Sequence, residues 1–148
     1  MRDFSEFIDD RTRSLPPDTC PHCTGSFRDK TETKDHIPSK VLLRKPYPSN
    51  VPTIPICEEC NLKFSIDEEY LYAFLGCVFA GSAEVDDQVD ALARAMLVRS
   101  PKLQARIAAA QANTLPGTGP ILWSPEMQRI EKVLIKNARG HALFELGV

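Results

Sequence analysis

The sequence predicts an α+β protein, in which a small unit with short strands is followed by additional α-helices C-terminal to it. Three observations lead to this prediction. Two Cys-x-x-Cys pairs stand at residues 20–23 and 57–60, on either side of a segment without helical periodicity. Four prolines between Pro46 and Pro55 exclude a helix there and favour a loop or an edge strand. After residue 65 the apolar residues recur at helical spacing.

Length and composition are those of one ordinary domain. The chain has 148 residues, 43% of them hydrophobic and 26% charged, which suffices for one buried core. We therefore expect a single domain, residues 1–148, with a cysteine-containing core at 18–75 and a helical extension at 83–148. The net charge of −2 argues against broad attraction to nucleic acid, so any phosphate binding needs local basic patches.

The expected compartment is the cytoplasm. No apolar run approaches the roughly 20 residues that span a bilayer, so we expect no membrane partner. Met1-Arg2-Asp3-Phe4 is charged and carries no signal-like apolar region. In a reducing compartment, paired cysteines indicate a metal rather than disulfides.

The first half of the chain predicts short elements. Residues 1–15 favour a short helix that ends at Leu15-Pro16-Pro17. The alternating charges of residues 28–35 indicate a solvated hairpin arm. Ile54 and Ile56 alternate into the second cysteine pair and predict a short strand.

The second half predicts helices. Ser65-Ile66-Asp67-Glu68 fits a capping box, before a helix at 70–80 that is apolar nearly all round and is therefore expected to be mostly buried. Gly81-Ser82 ends that helix, and Cys77 within it is expected in the core. A helix-period stripe predicts the next helix over residues 83–99. The stripe consists of Val85, Val89, Leu92, Ala93, Met96 and Leu97.

The C-terminal region predicts two more helices. One covers residues 101–113, and the glycines and prolines of 114–120 form a linker. The last helix, about 125–139, begins at Ser124-Pro125 and ends at Gly140. Trp123 is expected to be a packing residue.

The paired cysteines predict a structural zinc site. Two Cys-x-x-Cys pairs can supply four thiolates to one tetrahedral ion, the closed ligand set of a structural zinc. The ligands are Cys20, Cys23, Cys57 and Cys60. His22 lies between the first two and is expected to be exposed, because four thiolates complete the zinc shell.

Asp35-His36 is the candidate for chemistry. Adjacent polar residues in a loop usually have no catalytic role, but this pair lies between the two cysteine pairs with basic residues nearby. The basic residues are Lys34, Lys40, Arg44 and Lys45, which can attract phosphates. An imidazole accepts a proton from water near neutral pH, and a carboxylate can hold magnesium against a phosphate oxygen. Phosphodiester hydrolysis needs an activated water and a cation on the developing negative charge.

These motifs resemble a known family. Cys-x-x-Cys, Asp35-His36-Ile-Pro-Ser-Lys and Pro-Ile-Cys57-Glu-Glu-Cys60-Asn61 are similar to the HNH endonucleases, the zinc-stapled branch of the His-Me finger nucleases. The resemblance covers residues 18–75. It implies a treble-clef-like ββα-metal unit with His36 as general base and a divalent metal, Mg²⁺ or a similar ion, on Asp35 and Asn61. Residues 139–144 also resemble the tail of bacterial HNH-like proteins.

The chain departs from the family in two places. Asn50 is the candidate for the middle asparagine that supports the catalytic loop, although the proline-rich insert separates it further than usual. Ser65 stands where many members carry another histidine. Asp67 and Glu68 can substitute as metal ligands, or they are favourable charges in the first turn of a helix.

A basic stripe marks the last helix. Arg129, Lys132, Lys136 and Arg139 recur at helical spacing and share one face. The face is either solvated or a phosphate-tracking surface beside the site. His141 just beyond the stripe is expected on a surface or an interface.

Two functions remain open at this point. The first is a metal-dependent endonuclease acting on DNA, with zinc in the fold and magnesium at the site. The second is a non-catalytic zinc-stabilised module that binds nucleic acid or protein. The acidic residues Glu58-Glu59 and 67–69 favour the second, since they repel phosphates unless a metal is bound. The C-terminal helices pack either on the core or on a second copy in a homodimer.

Overall fold

The computed structural model describes residues 18–111 and 121–147. Within these ranges the chain forms a two-stranded sheet and four α-helices, which confirms a mixed α+β protein. The predicted helix at 1–15 and linker at 114–120 lie outside the described residues. In chain order the elements are β1 (Glu32–His36), β2 (Thr53–Cys57), α1 (Glu58–Ala80), α2 (Ala91–Arg99), α3 (Pro101–Ala109) and α4 (Met127–Leu146).

The chain divides into two compact units. The first, called here the cysteine unit, contains the residues up to Lys63 and those from Ile135 onward. The second, the helical unit, is Phe64–Leu134. Both divisions fall inside helices, α1 and α4. The single domain with boundaries at 75 and 83 stays a prediction. Over the described ranges, every helix is too short or too polar to cross a membrane.

The cysteine unit is built on the β1–β2 ribbon. The strands are antiparallel, and the register pairs Glu32 with Cys57 and His36 with Thr53. Ile54 and Ile56 are 3% and 0% exposed, so the strand predicted from their alternation is confirmed. Asp35 and Thr33 lie opposite these isoleucines and therefore share their face.

The helical unit has an apolar core supplied by α1, α2, α3 and the first part of α4, which contributes Val133. The largest fully buried side chains of these helices include Tyr70, Leu97, Ile107 and Cys77, so the predicted burial of Cys77 is confirmed. Burial also raises the pKa of the Cys77 thiol to about 11. Trp123 stands edge-on to Phe74 with ring centroids 5.8 Å apart, as expected of a packing residue.

Helix α1 begins earlier than predicted. It starts at Glu58, directly after the strand, so Ser65–Glu68 lies inside the helix and the capping box is wrong. The Glu58 N–H donates to the Thr31 carbonyl at 2.9 Å, and Glu58 and Glu59 place negative charge in the first turn. Its predicted end is confirmed, because Gly81 follows with φ +71°.

Helix α2 is shorter than predicted. Residues Val85–Asp87 form one 3₁₀ turn, and the α-helix starts only after Asp90, whose carboxylate accepts from the Ala93 N–H at 2.8 Å. Val89 precedes this cap and is 92% exposed, so its assignment to the helix predicted over residues 83–99 is wrong. Of the predicted stripe, Ala93, Met96 and Leu97 are buried. Helix α3 follows Ser100 as cap and ends at Ala109, before the predicted residue 113.

Helix α4 continues through Gly140. It runs from Met127 to Leu146, so both the predicted start at residue 125 and the predicted end at Gly140 are wrong. A Cβ at Gly140 would lie 2.8 Å from Ile37 Cδ1. The glycine therefore allows the helix backbone to approach Ile37 closely, rather than ending the helix.

Candidate functional site: the cysteine cluster and the Asp35-His36 segment

The four cysteines come together as predicted. One Sγ atom from each of Cys20, Cys23, Cys57 and Cys60 lies within 4.8 Å of all the others. The first pair sits in a tight turn, in which the Cys20 N–H donates to the Gly25 carbonyl at 2.9 Å. The second pair joins the last residue of β2 to the first turn of α1.

The donor set of this cluster fits a structural zinc ion. Cys20 and Cys57 are 0% exposed, and four sulfurs at this separation can surround one tetrahedral ion. A backbone hydrogen bond involving Gly25 lowers the pKa of Cys23 to about 7, whereas burial raises the pKa of Cys57 and Cys60. In the part of the chain that the structure describes, no other His/Cys/Asp/Glu group forms such a cluster.

His22 is half-buried, so the expectation of an exposed side chain is wrong. Both ring nitrogens are inaccessible to solvent. Burial, followed by the positive charges of Lys136 and Arg139, lowers the pKa of His22 to about 4. The imidazole is therefore neutral at pH 7.

Asp35 is held by a lysine from α4. Its side chain is 8% exposed, and Oδ1 accepts a hydrogen bond from Lys136 Nζ at 2.8 Å. The same ammonium donates to Ser39 Oγ at 2.7 Å. Lys136 and Ser39 are each 2% exposed, so this is a buried ion pair with a hydroxyl as additional acceptor. This arrangement does not fit a divalent ion on Asp35, because an ammonium already lies against the carboxylate.

His36 ends β1 and is half-buried. Since side chains alternate along a strand, it lies on the face opposite Asp35. Desolvation is the main cause that lowers the pKa of His36 below 6.5, and the positive charge of Lys40 adds to it. The nearby Asp35 charge acts in the opposite direction. His36 is therefore neutral at pH 7 and able to accept a proton.

Asn61 lies in the first turn of α1, as the resemblance implies. Its Nδ2 donates to Thr33 Oγ1 at 3.2 Å, and the Thr33 hydroxyl donates to the Ile56 carbonyl at 3.1 Å. Thr33 and Asp35 share a face of β1, so Asn61 is bonded to the Asp35 side of the ribbon. Asn61 thereby ties the start of α1 to the sheet.

The other candidate ligands lie elsewhere. Asn50 is exposed in a turn of the proline-rich loop. Asp67 belongs to the helical unit, where its carboxylate accepts from Arg129 at 2.8 Å, and Glu68 beside it is half-buried. Because α1 begins at Glu58, neither acid lies in a first helical turn, and that explanation of their charges is wrong.

The basic residues close to His36 in the sequence are accessible, and an aromatic ring lies beside two of them. Lys40 Nζ and Lys45 Nζ lie 5.5 and 5.8 Å from the centroid of the Tyr47 ring. Tyr47 is 37% exposed. Sequence reasoning missed this tyrosine, although its position between Pro46 and Pro48 close to two lysines was a usable signal. The accessible basic residues are Lys34, Lys40, Arg44 and Lys45.

The basic stripe of α4 does not form one uniform face. Lys136 is buried against Asp35, and Arg129, with 20% of its side chain exposed, is ion-paired with Asp67. Lys132 is 60% exposed, and Arg139 is also exposed. Lys132 Nζ, although exposed, also lies 3.9 Å from Asp67 Oδ2. Three of the four cations thus pair with carboxylates of the same chain, and neither of the two expected descriptions fits the whole stripe. His141 is exposed, consistent with a surface histidine.

Comparison with known proteins adds no relative. No protein-family model matches the chain, and neither curated proteins nor solved structures give a significant match. Conclusions about function therefore depend on the residues and their geometry.

Proposed function

We propose that this protein is an endonuclease that hydrolyses phosphodiester bonds, with DNA as its substrate and His36 as general base. One observation carries the proposal. His36 is a neutral, half-buried imidazole at the end of a strand that pairs with the strand leading into the cysteine cluster, and the exposed Lys40 lies close enough to lower its pKa. A general base needs a proton-accepting group held in a defined position beside a surface that binds the substrate.

The cysteine cluster has a structural role in this proposal. Cys20, Cys23, Cys57 and Cys60 would hold one zinc ion with a closed ligand set, which leaves no position for substrate. Zinc bound there fixes the start of α1 and the end of β2 in one geometry. The order β1, β2, α1 agrees with a treble-clef-like ββα unit, the fold that the family resemblance implies.

The substrate surface consists of the exposed cations and Tyr47. Lys34, Lys40, Arg44 and Lys45 offer charge to phosphates, and the Tyr47 ring offers a surface on which a base or sugar can stack. A local patch of this kind suits a chain whose net charge is −2. In the reaction, His36 accepts a proton from the attacking water. We assign no step to an ion on Asp35, because Lys136 pairs with that carboxylate.

The test is a plasmid-nicking assay with the zinc-loaded protein. We expect nicking of supercoiled DNA, and the nicking rate is measured with magnesium, with manganese and with EDTA. In His36→Ala the rate should fall by about 100-fold or more, the usual loss for a general base. His141→Ala is the matched control, because it removes an exposed histidine of the same unit. Full activity of folded His36→Ala would remove His36 from this role.

A zinc-stabilised binding module is the second candidate. It is favoured by the Asp35–Lys136 pair, which ties up the carboxylate that the family resemblance assigns to a metal. Zinc-loaded protein that cleaves neither DNA nor RNA, but binds single-stranded oligonucleotides in a fluorescence anisotropy titration, would support this candidate. Loss of oligonucleotide binding in the double variant Lys40→Ala/Lys45→Ala would assign that binding to the surface formed by the exposed cations and Tyr47.

A further inference from the structure

Lys136 is a lysine in an unusual environment. It is 2% exposed on a helix whose neighbouring positions Ile135 and Leu134 are 51% and 60% exposed. Burial of an ammonium is costly unless the charge is paired and its protons are hydrogen-bonded. Asp35 Oδ1 and Ser39 Oγ supply these partners at 2.8 and 2.7 Å. The ammonium of Lys136 on α4 therefore lies at one defined position in the interior, between Asp35 and Ser39.

The segment from Asp35 to Ser39 is attached to α4 at further points. Asn137, the residue after Lys136, accepts a hydrogen bond from the Ser39 N–H at 3.2 Å through its Oδ1. One turn later, Gly140 allows Ile37 to pack against the helix backbone, where a Cβ would meet Ile37 Cδ1 at 2.8 Å. Lys136 therefore has little freedom to withdraw from Asp35 while the helix stays in place.

We propose that Lys136 is the resident cation of Asp35 and that it keeps divalent ions away from this carboxylate. A divalent ion would need an Asp35 oxygen at about 2.0–2.6 Å, while the ammonium nitrogen lies 2.8 Å from Oδ1. Two cations at such separations repel each other strongly in a buried setting. The Asp35 carboxylate can therefore bind either the divalent ion or the ammonium, and in this fold it binds the ammonium of Lys136.

This assigns Asp35 and Lys136 a positioning role. The pair connects α4 to the end of strand β1, one residue before His36, and holds that segment against the helix. The inference goes beyond the proposed function and does not depend on it, because metal binding is measured without a cleavage reaction.

The experiment is a Mn²⁺ titration of the zinc-loaded protein, followed by the loss of the free-ion EPR signal. Wild type and Asp35→Asn are expected to bind the same amount of Mn²⁺. Lys136→Met is expected to gain a Mn²⁺ site whose affinity is at least about tenfold higher than that of wild type, because the repelling charge is gone. The site should disappear again in Lys136→Met/Asp35→Asn. Lys102→Met, which removes an exposed lysine of the helical unit, is the control and should behave as wild type.

Two results would overturn the proposal. One is a Mn²⁺ site in wild type that is lost in Asp35→Asn, since Lys136 then does not exclude the ion. The other is a folded Lys136→Met that gains no site, since something other than the lysine then excludes it. If Lys136→Met does not fold, the comparison of wild type with Asp35→Asn decides: equal binding supports the proposal and unequal binding overturns it.

Discussion

The two compact units differ in what stabilises them. In the cysteine unit, the buried side chains among the described residues include three isoleucines, Ile37, Ile54 and Ile56. Beside them the interior holds Pro21, two thiols, Ser39 and one ion pair. The helical unit instead buries apolar residues of four helices, with Tyr70 and Phe74 stacked 5.9 Å apart. A small sheet with so few apolar contacts needs metal ligands and buried polar bonds, whereas packed helices do not.

The buried carboxylates of the two units show the same contrast. Asp35 and Lys136 are 8% and 1% exposed in their side chains, while Asp67 and Arg129 are 12% and 20% exposed. Arg129 also bonds Glu126 and lies 5.5 Å from the centroid of the Tyr70 ring. Asp67 lines an open cavity of about 470 Å³, together with Glu126, Arg129 and Lys132. Water can therefore replace a partner of Asp67 more easily than a partner of Asp35.

The largest difference in stability between the two units is expected when a cysteine of the cluster is replaced. Cys57→Ser should lose zinc and unfold the cysteine unit, because binding free energy of about 10–16 kcal/mol for a structural zinc is also folding free energy. Zinc content and hydrogen exchange resolved by segment measure this, with protection lost first in β1 and β2. Cys77→Ala, which removes a buried thiol outside the cluster, should keep its zinc. Retained zinc with unchanged melting in Cys57→Ser would contradict the structural role.

The two ion pairs should respond unequally to loss of the cation. Lys136→Met leaves a buried carboxylate without its partner and should cost about 3–5 kcal/mol of unfolding free energy. Arg129→Met should cost about 1–2 kcal/mol, since solvent reaches that pair. Urea denaturation of the two variants makes the comparison. Adding Asp35→Asn to Lys136→Met should recover part of the loss, and equal costs for the two single variants would remove the distinction.

The two helix glycines offer a comparison of close packing. A Cβ at Gly76 would meet Ala93 Cβ at 2.5 Å, while one at Gly140 would meet the end of the Ile37 side chain at 2.8 Å. Alanine favours a helix by about 1 kcal/mol over glycine, but overpacking costs about 1–3 kcal/mol. Gly76→Ala should therefore destabilise more than Gly140→Ala, because Ala93 cannot move aside. The melting temperatures of the two variants test this, and a lower melting temperature for Gly140→Ala than for Gly76→Ala would contradict the prediction.

The smallest effect concerns Glu126 in the helical unit. Its hydrogen bond with Arg106, and then that with Arg129, lowers the pKa of Glu126 below its usual 4.5. A lowered carboxyl pKa stabilises the fold above the unfolded pKa, and this contribution is lost as the pH falls through the folded pKa. Glu126→Gln should therefore cost less than about 1 kcal/mol at pH 7. Unfolding followed at decreasing pH should show the difference from wild type vanish below the folded pKa, and a difference that grows there would refute the assignment.

Local spacing was enough to predict several features. Two cysteines with two residues between them can turn both sulfurs toward one ion, so the cluster of Cys20, Cys23, Cys57 and Cys60 could be predicted before the fold was known. Alternation predicted the strand at Ile54 and Ile56, and the glycine at residue 81 predicted the end of α1. Each of these depends on neighbours within a few positions.

Other features depend on contacts between distant residues. Gly140 looked like a helix end, because the sequence does not show that Ile37 lies against it. The stripe containing Lys136 looked solvated or phosphate-binding, because periodicity defines a face but not what that face meets. Asp35 and Lys136 are separated by 101 positions. The sequence by itself thus determined the cysteine cluster and the residue types near His36, through short-range geometry. Only the tertiary structure decided that Asp35 has a lysine as its cation, since the cost of burying an ammonium is offset only when the fold brings its acceptors to it.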